Sequence, residues 1–186
     1  YEQAHGADGK PLDGVYEERN NDGVINEQDK YRFHKPAADV FYGFNTSVVY
    51  KNWDFAATFR GSWGNYNYNN VDSNNGTLAA VFIRNTDLSN AVGNVLETGF
   101  TTNDAKRYES DYYIQDASFL RLDNVSVGYT FNQKPDSNTL VKLSLGAQNV
   151  FILTDYTGID PEISGGIDNN LYPRPLTFTL GLNVNF

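Results

Sequence analysis

The chain has 186 residues, with 23 Asp and Glu against 14 Lys and Arg for a formal net charge of −9, and it contains neither Cys nor Met. Without thiols, a disulfide framework, a thiolate metal site and a cysteine nucleophile are excluded, and the acidic balance argues against nucleic acid, whose phosphates require clustered Lys and Arg. A mean hydropathy of −0.52 with no long apolar run excludes a transmembrane helix. It does not exclude a membrane, because a spanning β-strand alternates lipid-facing and lumen-facing residues and keeps its average low.

No initiator residue or signal peptide stands at Tyr1, so a processing event or a longer upstream segment is expected before it. Residues 1–38 show no strand alternation and are read as one long loop. Within it, Glu18, Asn20, Asp22, the Val24 carbonyl, Asn26 and Asp29 have the spacing of a loop that wraps Ca2+ with oxygen ligands. Gly23 holds the turn position and Ile25 the apolar one. Glu18 in place of the usual Asp, and Asp29 in place of the usual bidentate Glu, depart from that pattern. The competing reading is a metal-free Asn-Asp-Gly turn, since these residues favour left-handed backbone.

Period-two alternation then marks strands at about 39–50, 53–63, 119–131, 140–151 and 176–186. In the first, Val40, Tyr42, Phe44, Val48 and Tyr50 oppose Gly43, Asn45 and Ser47. The second sets Trp53, Phe55, Ala57, Phe59 and Trp63 against Asp54, Thr58, Arg60 and Ser62. In the third, Val125, Val127, Tyr129 and Phe131 share a face, but Leu120 and Leu122 are in the other phase, which predicts a bulge or a rim position near Asp123. The fourth (Val141, Leu143, Leu145, Ala147) and fifth (Leu176, Phe178, Leu180, Leu182, Val184) are regular. Each is about 10 residues long, enough for a tilted strand to cross a bilayer, and Tyr, Trp and Phe cluster near several ends as in an interfacial girdle.

Connections alternate between short and long. Lys51-Asn52 and a polar turn at 132–139 carrying Pro135-Asp136 are short, whereas 64–118 and 152–175 are long. Outer-membrane barrels pair short periplasmic turns with long extracellular loops, which would put 1–38 and both long loops outside. Five strands cannot close a barrel, and an open sheet in lipid leaves backbone groups unsatisfied. The all-β fold expected is therefore part of a transmembrane antiparallel barrel, completed by strands from upstream or from another chain. A soluble β-sandwich also alternates, but its outward faces are usually charged, whereas these are Gly, Ser, Thr, Asn and Gln.

The closing run Leu176–Phe186 (LTFTLGLNVNF) ends in an aromatic, as the signal read by barrel-assembly machinery does, with Phe186 as its mark. Three longer stretches carry a more specific resemblance: Tyr112–Phe131 (YYIQDASFLRLDNVSVGYTF), Ala147–Glu162 (AQNVFILTDYTGIDPE) and Leu171–Phe186 (LYPRPLTFTLGLNVNF). Upstream, Asn20–Asn26, Gly43–Asn45 and Gly61–Asn65 follow in the matching order. Together they resemble the carboxy-terminal barrel of the SusC/RagA family of TonB-linked outer-membrane transporters, over nearly the whole chain. The resemblance implies a barrel of about 22 strands, of which these are the last five. It also implies an amino-terminal plug outside this sequence, TonB-coupled energy supply, and a SusD-like surface lipoprotein as a lid. Substrates in the family are usually oligosaccharides and sometimes peptides.

Tyr66 and Tyr68, alternating with amides in Gly64–Asn70, mark a candidate substrate-facing loop; an aromatic girdle followed by a solvated rim is the favoured alternative. A short helix is predicted near Asp87–Leu96. Catalysis has little support. His34 beside Lys35-Pro36 reads as a loop residue, Asp160-Pro161-Glu162 as a loop-ordering element, and Ser62, Ser126 and Ser144 have no His partner in any motif. The expected function is a segment of an importer of large nutrients, with oligosaccharide as the expected cargo, membrane lipid, TonB and the assembly machinery as partners and no nucleic acid. The alternatives are a passive porin or adhesin-like barrel, and a soluble calcium-stabilised sugar-binding β-domain.

Overall fold

Strict alternation lets an extended backbone send one class of side chain to each side of a sheet, and in the computed structural model strands form wherever that alternation is sustained. The structure describes residues 1–82, 90–102, 104–131 and 139–186. In chain order the strands are β1 (Gln3–His5), β2 (Pro11–Tyr16), β3 (Val40–Tyr50), β4 (Trp53–Trp63), β5 (Tyr66–Asn69), β6 (Ile114–Asp116), β7 (Phe119–Phe131), β8 (Leu140–Thr154), β9 (Ile167–Asp168) and β10 (Thr177–Asn185). They divide between two units. One comprises Ala38–Gly64, Ser118–Asp155 and Tyr172–Phe186; the other comprises Tyr1–Ala37, Asn65–Ala117 and Tyr156–Leu171.

The first unit is a five-stranded antiparallel sheet in the order β3-β4-β7-β8-β10. Its register lines up the apolar residues in rows that run across the sheet. One row is Val48, Phe55, Val127, Leu145 and Leu180; the next is Tyr50, Trp53, Tyr129, Leu143 and Leu182. Phe44, Val48, Phe55, Leu145, Leu180 and Leu182 are all exposed. A sandwich would bury this face, whereas a membrane barrel turns it toward lipid. The opposite face is mostly small and polar, with Thr58, Asn124, Gln148 and Thr177 forming one of its rows.

The 11 residues of β3 extend roughly 37 Å at about 3.4 Å per residue. At a tilt near 40° this is roughly 28 Å of depth, matching an apolar band of about 25 Å. Aromatic rings gather where the short Lys51-Asn52 turn joins β3 to β4: Trp53 meets Tyr129 edge-on at 4.8 Å, and Tyr129 meets Phe131 at 4.9 Å. Lys51 takes φ 54°, the left-handed backbone that so short a hairpin demands. Residues 132–138 of the second predicted turn lie outside the described residues.

A bulge at Asp123 explains the phase slip in the third strand. Thr58 pairs with Asn124 but Phe59 pairs with Leu122, so Asp123 is extra relative to β4. Leu120 and Leu122 thereby return to the apolar face instead of leaving it. The Asp123 carboxylate accepts a hydrogen bond from the Arg60 Nε on the polar face. β8 absorbs the irregularity with an extra residue near Asn149, which has φ 53°. It also runs to Thr154, three residues beyond the predicted end.

Two glycines allow close crossings. A Cβ on Gly61 would lie 2.2 Å from the Phe119 carbonyl oxygen and 2.5 Å from the Tyr42 hydroxyl. The bare Cα lets the Tyr42 ring cross it, so that its hydroxyl donates to the Phe119 carbonyl at 2.8 Å, linking β3 to β7 over β4. On the polar face, Lys142 and Asp54 form an ion pair at 2.7 Å above Gly128, again spanning three strands.

The second unit corrects the sequence reading of its segments as plain loops. β1 and β2 form a hairpin inside the stretch read as strandless. β5 pairs antiparallel with β6 and parallel with β9, tying 65–117 to 156–171. These strands have two to six residues, too few for alternation to stand out. Of the helix predicted at 87–96, residues 87–89 lie outside the described residues. One helical turn, Val95–Thr98, forms there and ends at Gly99 with φ 66°.

In the full-length protein refolded in detergent, Gly61→Val should lose roughly 1–3 kcal/mol of stability through overpacking against backbone. Tyr42→Phe should lose about 1 kcal/mol, the net worth of one hydrogen bond. Urea unfolding followed by heat-modifiable gel migration would check both, and equal stability of Gly61→Val and wild type would contradict the crossing.

Candidate functional site

The first 37 residues are fixed by carboxylates that accept backbone N–H groups. Asp13 of β2 accepts from the amides of Thr101 and Thr102 at 2.8 and 3.0 Å, and from their hydroxyls at 2.8 and 2.9 Å. Partial burial pushes its carboxyl up, but these hydrogen bonds together outweigh it and hold the group below the usual carboxylate range.

The predicted calcium-loop residues fall into two sets. Asp22 Oδ2 lies 2.9 Å from the Asn20 amide nitrogen and 3.3 Å from that of Asn26, which also reaches the Val24 carbonyl at 3.0 Å. Glu18 accepts from the Asp22 amide at 2.5 Å. These five residues surround one small region. Asp29 does not join them. Fully buried, it accepts from the Arg19 amide at 2.8 Å and the Asn26 amide at 2.8 Å, closing a capping box on the 3-10 turn Glu27–Asp29. Those two bonds, the Asn26 one first, lower its carboxyl from the ordinary value. Among the described residues, no three His, Asp or Glu side chains gather closely enough to hold a metal by themselves.

β5 places its amides inward. Asn67 and Asn69 are each 1% exposed, and the Asn67 amide donates to the Pro161 carbonyl at 2.7 Å. Asn65, also buried, donates to the Ala117 carbonyl at 3.0 Å. The alternating tyrosines are engaged too. Tyr66 stacks flat on His34 at 3.7 Å, and Tyr68 donates to the Tyr108 carbonyl at 2.7 Å. Asp160 accepts from the Glu162 amide at 2.9 Å, an Asx turn that presents Pro161 to Asn67.

Sequence reasoning missed the cavity beside helix α1 (Asn70–Asn75), about 480 Å³ in volume. Its wall includes Asp72, Asn94, Glu97, Thr157 and Asp168. Asn69 caps α1 by accepting from the Asp72 amide at 3.0 Å, and its own amide donates to Asp72 Oδ2 at 2.9 Å. Asp168 accepts from the Tyr156 hydroxyl at 2.8 Å and the Asn170 amide at 2.9 Å. Burial, with the nearby Asp168 charge adding, raises the Asp72 carboxyl. Buried beside Asp168, the Tyr156 phenol is also raised. Only the Asn69-to-Asp72 capping spacing hinted at this in the sequence, because the other contributors come from distant segments.

On the polar face of the large sheet, Arg60 and Arg121 are paired across β4 and β7. Phe186 follows β10 and is 97% exposed; the outer edge of β10 has no strand partner among the described residues.

Over its whole length the chain is 38% identical to the TonB-dependent receptor SusC of Bacteroides thetaiotaomicron. Over 92% of its length it is 32% identical to the TonB-dependent receptor P26 of Formosa agariphila. It spans 19% of each, about a fifth of the relatives' length. Among solved structures, the RagAB peptide transporter matches 88% of the chain with a TM-score of 0.65 at 21% identity. The RagAB peptide importer in its open-open state matches 99% with a TM-score of 0.67 at 18% identity, the chain covering 20% of it. No family model matches the chain.

The Asp13 clasp yields a pH dependence. Its carboxyl is depressed in the folded chain, so its contribution is complete above the unfolded value near 3.9 and is lost as pH falls through the lower folded value. Hydrogen exchange at the Thr101 and Thr102 amides should accelerate over that acid range. In Asp13→Ala it should be fast at neutral pH; protection unchanged by the substitution would contradict the clasp.

Proposed function

This chain belongs to the SusC/RagA family of TonB-linked outer-membrane β-barrel proteins, and on that premise we propose that it forms wall, lumen lining and extracellular loops of an importer for large nutrients. In this reading the protein imports oligosaccharides with TonB-derived energy, through a plug that lies elsewhere in the full-length protein, and a SusD-like lipoprotein caps the outer mouth. The observation that carries it is the exposed apolar face of five antiparallel strands, in a chain 38% identical to SusC from end to end. The segments 1–37, 65–117 and 156–171 join the strand ends opposite the Lys51-Asn52 turn, which supports their extracellular placement by the short-turn rule for outer-membrane barrels. The relatives it matches are named as receptors and transporters, which supports transport over catalysis.

Uptake tests the reading. Cells carrying the intact gene should accumulate a labelled oligosaccharide, and deletion of either tonB or the lipoprotein partner should abolish it. Uptake that persists without TonB would instead support a passive porin, and accumulation of labelled peptides alone would reassign the cargo.

We also propose that Glu18, Asn20, Asp22, the Val24 carbonyl and Asn26 hold a structural Ca2+, with Asp29 anchoring the loop from behind. Ca2+ would have to draw the Asn20 and Asn26 side-chain oxygens away from the Asp22 and Gln28 amides they now accept from, and that cost with the low carboxylate count points to weak affinity, of order 10⁻⁴–10⁻³ M as in extracellular modules. Millimolar Ca2+ should raise the melting temperature of the full-length protein relative to chelator, and Asp22→Asn should remove the difference. An identical melt with and without Ca2+ would leave the loop as a metal-free turn.

A further inference from the structure

We infer that a cleft in the lipid-facing side of the large sheet, at the end where the long segments leave it, receives a lipid headgroup that ends in a primary ammonium, as ethanolamine lipids do. The cleft is continuous with the apolar face that meets the membrane. Tyr42 and Leu153 close the ends of a cross-strand row that runs through Gly61 and Leu120. One place nearer the long segments, Trp63 stands opposite Val40, on the same face as Tyr42. Ser118 and Asp155 each lie one residue beyond the Phe119–Thr154 pair, which brings them onto that face beside Trp63. Ser118 is small, and between Trp63 and Asp155 the surface dips into a cleft of about 460 Å³. That volume lies within the range of small-ligand sites, about 300–1,000 Å³.

Two kinds of side chain around the cleft select that headgroup independently. The first is aromatic: Trp63 is 66% exposed, and the Tyr42 ring is exposed as well. The face of such a ring attracts an ammonium through its quadrupole, Trp most strongly. Tyr42 is held in place because its hydroxyl donates to the Phe119 carbonyl at 2.8 Å. The second is the exposed Asp155 carboxylate on the same wall, which supplies the opposite charge and accepts N–H bonds. A quaternary ammonium satisfies the rings but offers no N–H to the carboxylate, and an anionic headgroup meets Asp155 as a like charge. The next row of the face, toward the Lys51-Asn52 turn, carries exposed Phe44 and Phe151, so an acyl chain leaving the cleft continues along apolar surface. The inference rests on the barrel wall of the reading above, not on TonB or the cargo, and binding to purified protein is measured without either.

The test uses the full-length protein in detergent and three phospholipids with the same dioleoyl chains: phosphatidylethanolamine, phosphatidylcholine and phosphatidylglycerol. Retention is read by native mass spectrometry. Phosphatidylethanolamine should be held about tenfold or more tighter than phosphatidylglycerol, as a charge-assisted hydrogen bond implies, and the preference should shrink with added salt. Asp155→Asn should abolish the preference, and Trp63→Leu, which keeps an apolar side chain but removes the ring, should reduce it. Both positions are exposed, and heat-modifiable gel migration checks that each variant folds. Leu180→Ala, on the same face but two strands away on β10, should leave the preference unchanged. Equal retention of phosphatidylethanolamine and phosphatidylglycerol, or a preference that survives both Asp155→Asn and Trp63→Leu, would overturn the inference. A loss in Leu180→Ala as large as in Asp155→Asn would overturn it too, by assigning the effect to the whole face. Tighter retention of phosphatidylcholine than of phosphatidylethanolamine would overturn the assignment of a primary ammonium.

Discussion

Backbone hydrogen bonding in a medium without water is the constraint from which the rest of this structure follows. Lipid offers no partner to an N–H or C=O group, so a spanning segment must satisfy its groups within itself or with a neighbour. Between β3 and β10 they are met by continuous antiparallel pairing, the outer edges of those two strands having no strand partner among the described residues, and every side chain is assigned to one of two faces. The apolar face needs no further protein to cover it. The polar face can carry charge because it turns away from hydrocarbon, as the Lys142–Asp54 and Arg60–Asp123 pairs do.

Such a ladder tolerates little local error, and the irregularities it does carry repair the register. One extra residue at Asp123 would flip every later side chain if the partner strands did not accommodate it. β4 skips it and β8 sets two residues, Asn149 and Val150, against it, so the leucines before the bulge and the valines after it face the same way. Gly61 and Gly128 play a related part. A missing side chain on the central strand lets groups on the two flanking strands meet directly, as Tyr42 does with the Phe119 carbonyl and Lys142 with Asp54.

Beyond the strand ends the constraint lifts, and the chemistry changes with it. The second unit has short strands and many side chain-to-backbone bonds. Asp13, Asp29, Asn65, Asn67 and Asp160 each bond backbone groups in segments that are not continuous ladders. This accounts for the concentration of Asn and Asp between the apolar-alternating stretches. Much of the negative charge serves as acceptors for backbone N–H, as Asp168 does for the Asn170 amide beside the α1 cavity.

The five long strands, their faces, the irregularity at Asp123 and the family were legible in the sequence, because a two-residue period sustained over about ten residues specifies direction and face without reference to distant parts of the chain. The character of Asp160-Pro161-Glu162 as a loop-ordering element was legible for a similar reason, its turn being set by near neighbours. Tertiary structure alone decided the rest. The parallel pairing of Tyr68 with Ile167, the stacking of Tyr66 on His34 and the joining of Asp72, Asn94 and Asp168 around one cavity unite segments far apart in the chain. No local period encodes those meetings. They depend on which loops the strand order brings side by side, and on buried amides finding partners that sequence spacing does not reveal.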